Sequence, residues 1–196
     1  YENVSMSEEI PGPVSEISRV DSSRTRPAFQ VCSMQEDHLI SNENQIFVWI
    51  ESNVPQGSMK QGHLWLPELC PEAESVEWFS FRADRWNEFS RRYRSKLSNM
   101  QELCEKLRCL AHQSLLTLVY RRGTPACNIA IIIEKHLVQL ECQHRWEAGL
   151  MIGGYTSPVK SEIEALGGLW FNNHKTWMMP DEKSWRSIIN LLPGDF

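Results

Sequence analysis

Arg121 and Arg122 stand side by side between the apolar run Leu115 to Tyr120 and a second apolar segment that begins near Ala126. Two guanidinium groups at a strand end, just ahead of a helix start, can hold an anion, because free backbone N–H groups at the helix end add to their charge. Near the other end of the chain, Lys160, Trp170, Asn173, His174, Lys175 and Trp177 form a second set. Aromatic faces flanked by cations can stack on unpaired nucleic-acid bases. Trp170 and Trp177 serve equally well as the core of a very small folded unit. Both sets speak of binding.

A catalytic constellation is harder to find. The chain has no Gly-x-Ser-x-Gly elbow, no Gly-x-x-x-x-Gly-Lys phosphate loop and no His-Glu-x-x-His helix. Glu134 with His136 and Glu162 with Glu164 have the spacing of ordinary solvated helix faces. Cys127, His136, Cys142 and His144 match no established zinc spacing, and none of the cysteines forms a Cys-x-x-Cys pair. Free thiols of an intracellular chain, cytoplasmic or nuclear, account for them best. The expectation is a protein without cofactor or metal and without an evident catalytic centre, although groups converging from distant positions would escape such a search.

Charge divides the chain. Residues 1–81 carry 13 acidic and 4 basic side chains, whereas residues 82–122 carry 10 basic and 4 acidic ones. A net charge of −5 argues against indiscriminate coating of nucleic acid, but the basic block leaves room for one anion-binding face. No apolar run approaches the roughly 20 residues of a membrane helix, and no signal peptide is read at the start. No membrane partner is expected.

The elements that must position these groups can be read from periodicity. Residues 1–27, rich in Ser, Glu, Pro and Arg, read as a disordered tail. Phe29 to Cys32 and Gln45 to Ile50 read as strands, with a polar loop from Asp37 to Asn44 between them. Arg82 to Leu97 reads as a helix with a stripe of Trp86, Phe89, Tyr93 and Leu97. Ser98 and Asn99 can cap a second helix, with Met100, Leu103, Leu107 and Leu110 inward. Leu115 to Tyr120 is a buried strand, and Ala126 to about Leu140 a deeply packed helix. A strand at Leu150 to Ile152, a helix from Ser157 through Ala165, strands at Leu169 to Phe171 and Thr176 to Met179, and a helix opened by Pro180-Asp181 complete a β-α-β-β-α unit. The fold class is α/β: a layered sheet-and-helix domain over residues 28–144 and a small module over residues 145–196.

Residues 28–140 resemble a family of small bacterial proteins of unknown function typified by YeaO. The resemblance rests on Trp65-Leu66-Pro67-Glu68-Leu69-Cys70-Pro71, Trp78-Phe79, Trp86-Asn87-Glu88-Phe89 with Arg92-Tyr93-Arg94, Thr117-Leu118-Val119-Tyr120 and Asn128-Ile129-Ala130. It adds Asn128 to the anion-binding candidates. The family's Asp-Arg-Leu-Trp-Pro-Arg-Gly loop reads Glu51-Ser52-Asn53-Val54-Pro55-Gln56-Gly57 here, with both arginines replaced, and the later family histidine is Ile129. That departure implies a degenerate active site and a scaffold kept for its shape.

Residues 148–192 resemble a short module attached to conjugation-associated primases and similar to the HARP region of annealing helicases. The matching pieces are Ala165-Leu166-Gly167-Gly168-Leu169-Trp170 and Lys175-Thr176-Trp177-Met178-Met179-Pro180. Those settings imply work on DNA or RNA. The expected function is a non-catalytic accessory subunit of a nucleic-acid-processing assembly, with protein partners and with DNA or RNA contacted through the terminal module. The alternatives are a protein-interaction adaptor that touches no nucleic acid, and a small enzyme with a divergent family site.

Overall fold

A computed structural model describes residues 27–34, 44–53 and 60–192. The expected tail, the polar loop after Met34 and positions 54–57 of the altered loop lie wholly or mostly outside the described residues. Four parallel strands form the first sheet: β1 (Phe29–Ser33), β2 (Gln45–Trp49), β3 (His63–Trp65) and β4 (Leu115–Tyr120), in the order β1-β4-β2-β3. β4 is central, with Val31 beside Leu118 on one side and Val48 beside it on the other. A central parallel strand is buried on both faces, which is why Leu115 to Tyr120 reads as an unbroken apolar run.

Four helices cover one face of this sheet: α1 (Ala73–Phe79), α2 (Trp86–Ser98), α3 (Gln101–Gln113) and α4 (Ile129–Glu147). Val48, Ile50, Leu116, Leu118 and Tyr120 pack there against Phe89, Tyr93 and Leu97 of α2, Leu107 of α3 and Ile133 and Leu137 of α4. On the other face, Phe47, Trp49 and Val119 are buried, and the Trp49 Nε1–H donates to His63 Nδ1 at 3.0 Å.

The second sheet is antiparallel, ordered β5-β7-β6, from β5 (Met151–Ile152), β6 (Leu169–Phe171) and β7 (Thr176–Met178). Leu169, Phe171 and Met178 pack against Val138, Cys142 and Trp146 of α4. Ile152, Trp177 and Met179 face the opposite way, onto Val159, Ile163 of α5 (Lys160–Ala165) and Ile188 of α6 (Glu182–Ile189). The β-α-β-β-α order is the one read from sequence. At Gly168 a Cβ would collide with the Ile163 side chain and lie 2.7 Å from the Ile163 carbonyl oxygen, so the turn from α5 into β6 needs a residue without one.

α4 is therefore a wall shared by both sheets, which explains its apolar residues on every side. Arg145 fastens it to the terminal module: Nη1 donates to the Gly167 carbonyl at 2.8 Å and to the Met178 carbonyl at 3.0 Å. Arg145 Nε donates to Glu141 Oε1, and Glu141 Oε2 accepts from Arg108 Nη1 of α3 at 2.6 Å. His112 Nε2 meets the same oxygen at 3.0 Å.

Several boundaries differ from the sequence reading. A 3-10 turn, Ala83–Arg85, precedes α2, and the helix runs through Ser98, whose hydroxyl donates to the Arg94 carbonyl instead of capping α3. α3 starts after Met100 with no capping side chain. α4 starts at Ile129 because Asn128 has extended backbone and caps it, and it continues to Glu147 because the second sheet covers its last two turns. A 3-10 turn, Ser157–Val159, likewise precedes α5. β3 and α1 are absent from the sequence reading: three and seven residues are too short to show a period.

Candidate anion-binding cleft

Parallel strands leave a crevice beyond their carboxyl ends, and ligands of α/β sheets bind there. Here it lies where β2 runs into Glu51 and β4 into Arg121, and it encloses about 460 Å³, a size ordinary for small-molecule sites. Its lining comes from the ends of both strands, from Cys70 and α1, from Phe81, and from Asn128 and Ile129 at the start of α4.

The stretch from Arg121 to Asn128 is a tight, internally bonded turn. Thr124 and Cys127 exchange backbone hydrogen bonds of 3.2 and 3.1 Å. Gly123 has φ of 117°, and a Cβ on it would strike the Cys127 carbonyl oxygen, so only glycine lets the chain fold back on itself there. Asn128 is buried, and its Nδ2 donates to the Thr124 carbonyl at 2.9 Å while Oδ1 accepts the Ile131 N–H at 3.0 Å. Both ends of its amide thus hold the turn against the helix. Arg121 and Arg122, exposed beside this turn, line the cleft at the amino end of a 19-residue helix, where the helix dipole also favours negative charge.

Sequence reasoning missed the rest of the lining. Glu51 stands opposite the arginines and accepts a hydrogen bond from the Arg121 backbone. Burial pushes its carboxyl above the ordinary value, while the charges of Arg121 and Arg122 pull the other way. Burial and then the charge of Glu51 push the Cys70 thiol up to about 11, so it stays protonated near neutrality. Glu51 is visible in the sequence directly after a strand, where the resembled family's loop has its Asp, and Cys70 lies in the Trp65 to Pro71 match; for Phe81 there was no signal.

The terminal set is split by its sheet. Trp177 is buried, and its Nε1–H donates to Thr156 Oγ1 at 3.2 Å. Trp170, opposite it in the register, meets its ring at 5.3 Å and keeps 42% of its surface exposed. His174 stacks on Trp146 of α4 at 3.9 Å between ring centroids, which puts it on the other side of the sheet. Asn173 and Lys175 are exposed in the β6–β7 turn, where Lys175 has φ of 51°, and Lys160 on α5 lies 3.8 Å from Glu164. The set is thus divided: Trp170, Asn173 and Lys175 are exposed, Trp177 is buried against Trp170, and His174 stacks on α4.

Among the described residues no group of three or more His, Cys, Asp or Glu is placed to hold a metal ion, and no helix is long and apolar enough to cross a membrane. Cys142 is buried in the core, and His144 pairs with Glu105 at 2.5 Å.

Residues 51–137 match the family described as Domain of unknown function DUF488. The match is consistent with the YeaO-like resemblance. The DUF488 region opens on Glu51 and contains every residue lining the cleft except Ile50. No curated protein and no solved structure matches the chain.

Proposed function

We propose that this chain is a non-catalytic binding protein, an accessory subunit of a nucleic-acid-processing assembly, whose cleft at the carboxyl end of the parallel sheet takes an anionic group. The observation that carries the reading is the convergence of Arg121 and Arg122 with the capped amino end of α4 on one cavity. Two guanidinium groups and a helix dipole favour phosphate or carboxylate. The Asn128 amide is engaged in holding the turn, which leaves the arginine pair as the groups offered to an anion. The test is titration of the full chain with phosphate, ribose 5-phosphate and sulfate across a salt series. The reading requires saturable, salt-sensitive binding that falls at least tenfold in the Arg121→Ala, Arg122→Ala double variant; equal binding by both proteins refutes it.

Contact with DNA or RNA through the terminal module is favoured by one observation, the exposed Trp170 ring braced edge-on by Trp177. Fluorescence anisotropy with labelled single-stranded, duplex and forked DNA and with RNA, comparing wild type with Trp170→Ala and Lys175→Ala, tests this part separately. Binding to a protein partner with no nucleic-acid affinity at low salt would favour the adaptor alternative.

A further inference from the structure

Helix α1 ends in an unusual way. Ser80 closes it in the left-handed conformation, with φ of 45°, and its N–H donates to the Val76 carbonyl at 2.9 Å. One such residue is a common helix stop, normally glycine or asparagine. Here a second follows: Phe81 has φ of 54°. For a bulky side chain that conformation is strained, and strain of this kind gathers at ligand sites. What the strain achieves is the placement of one ring. Phe81 lines the cleft and is 43% exposed. Behind it runs a row of rings leading into the core: Phe79 at 5.4 Å, then Phe89 stacked on Phe79 at 4.5 Å, then Tyr93 stacked on Phe89 at 6.2 Å. The row is buried except for its outermost member, Phe81, which ends in the cavity that also holds Arg121 and Arg122.

Resting on the cleft reading above, we propose that Phe81 is a stacking platform for a planar ring whose phosphate lies at Arg121 and Arg122. The ligand class is an aromatic phosphate of the nucleotide type, either a free mononucleotide or the phosphorylated terminus of a strand. A base stacks on an exposed aromatic face without regard to its sequence identity, and the arginine pair supplies the charge for the phosphate. A cavity of about 460 Å³ has room for one nucleotide.

The experiment is calorimetric titration of the full chain with ribose 5-phosphate, AMP, TMP and 5′-phosphorylated oligothymidylate. Wild type should bind AMP about tenfold or more tighter than ribose 5-phosphate, the increment that ring stacking supplies. Phe81→Gly removes the ring and relieves the backbone, so it should melt no lower than wild type. It should bind ribose 5-phosphate as before and lose the preference for AMP, while Phe81→Trp keeps it. Phosphate binding with no ring preference in wild type, or a preference that survives Phe81→Gly, overturns this inference and leaves the cleft reading intact. Absence of all phosphate binding overturns both. Oligothymidylate binding tighter than TMP assigns the ligand to a strand terminus; equal affinity assigns it to the free nucleotide.

Discussion

Glu141 and Arg145 lie one turn apart on α4, joined at 2.7 Å, with both side chains at least 95% buried. The carboxylate is shared with Arg108 and His112 of α3, and the guanidinium reaches the backbone of the second sheet. This pair links three parts of the molecule through one helix. A buried ion pair adds little over an apolar pair of the same shape, but losing one partner strands the other.

Arg145→Met should therefore cost about 3–5 kcal/mol in urea unfolding, as for other broken buried pairs. Hydrogen exchange should show the loss first in β6 and β7, whose neighbouring carbonyls the guanidinium holds. Uniform loosening of both sheets would contradict the fastening role.

Acid should expose the same carboxylate. Burial alone would raise the Glu141 pKa, but hydrogen bonds from His112 and Arg145 and their charges outweigh it and hold the group well below its ordinary value. A depressed native pKa means that the unfolded chain takes up the proton first. The stabilisation is then complete above the ordinary carboxyl range, about 4.3, and drains away as pH falls toward the native value, at up to about 1.4 kcal/mol per pH unit. Melting temperature followed from pH 6 to 3 should fall less steeply in Glu141→Gln than in wild type.

Glu51 titrates in the opposite sense. Its raised native pKa means that the folded state holds the proton longer, so this group's contribution to stability declines as pH rises through that value. Its ionised form also competes with any anion for Arg121. Sulfate binding should tighten several-fold in Glu51→Gln at pH 8, as read by calorimetry.

Trp177→Ala and Trp170→Ala should separate core from surface. Trp177 is packed among Ile152, Val159, Ile163 and Ile188, and its truncation should cost about 3–5 kcal/mol. Trp170, largely outside that cluster, should cost about 1 kcal/mol or less. Similar chemical-denaturation midpoints for the two would mean that the module's core is drawn wrongly.

Much of the fold was legible because its signals are local. The unbroken run in β4, the stripe of Phe89, Tyr93 and Leu97 in α2, and Asp181, whose Oδ1 accepts the Ser184 N–H at 2.7 Å to open α6, each declare themselves within a few residues. The site was half legible. Arg121 and Arg122 follow from the strand-to-helix transition, but Phe81 and Glu51 reach the cleft only through pairing and helix packing that no local pattern encodes. Trp170 and His174 are four residues apart, a spacing that alternation would put on one face, but His174 lies in the turn after β6, which breaks that period and sets it on the opposite face.

The helix that serves as a wall to both sheets also acts as a ruler. Its 19 residues rise about 1.5 Å each, so its amino end, at the cleft, and its carboxyl end, under the second sheet, lie about 28 Å apart. A partner gripping both at once must bridge that span, and a ligand no larger than one nucleotide can report on the cleft alone.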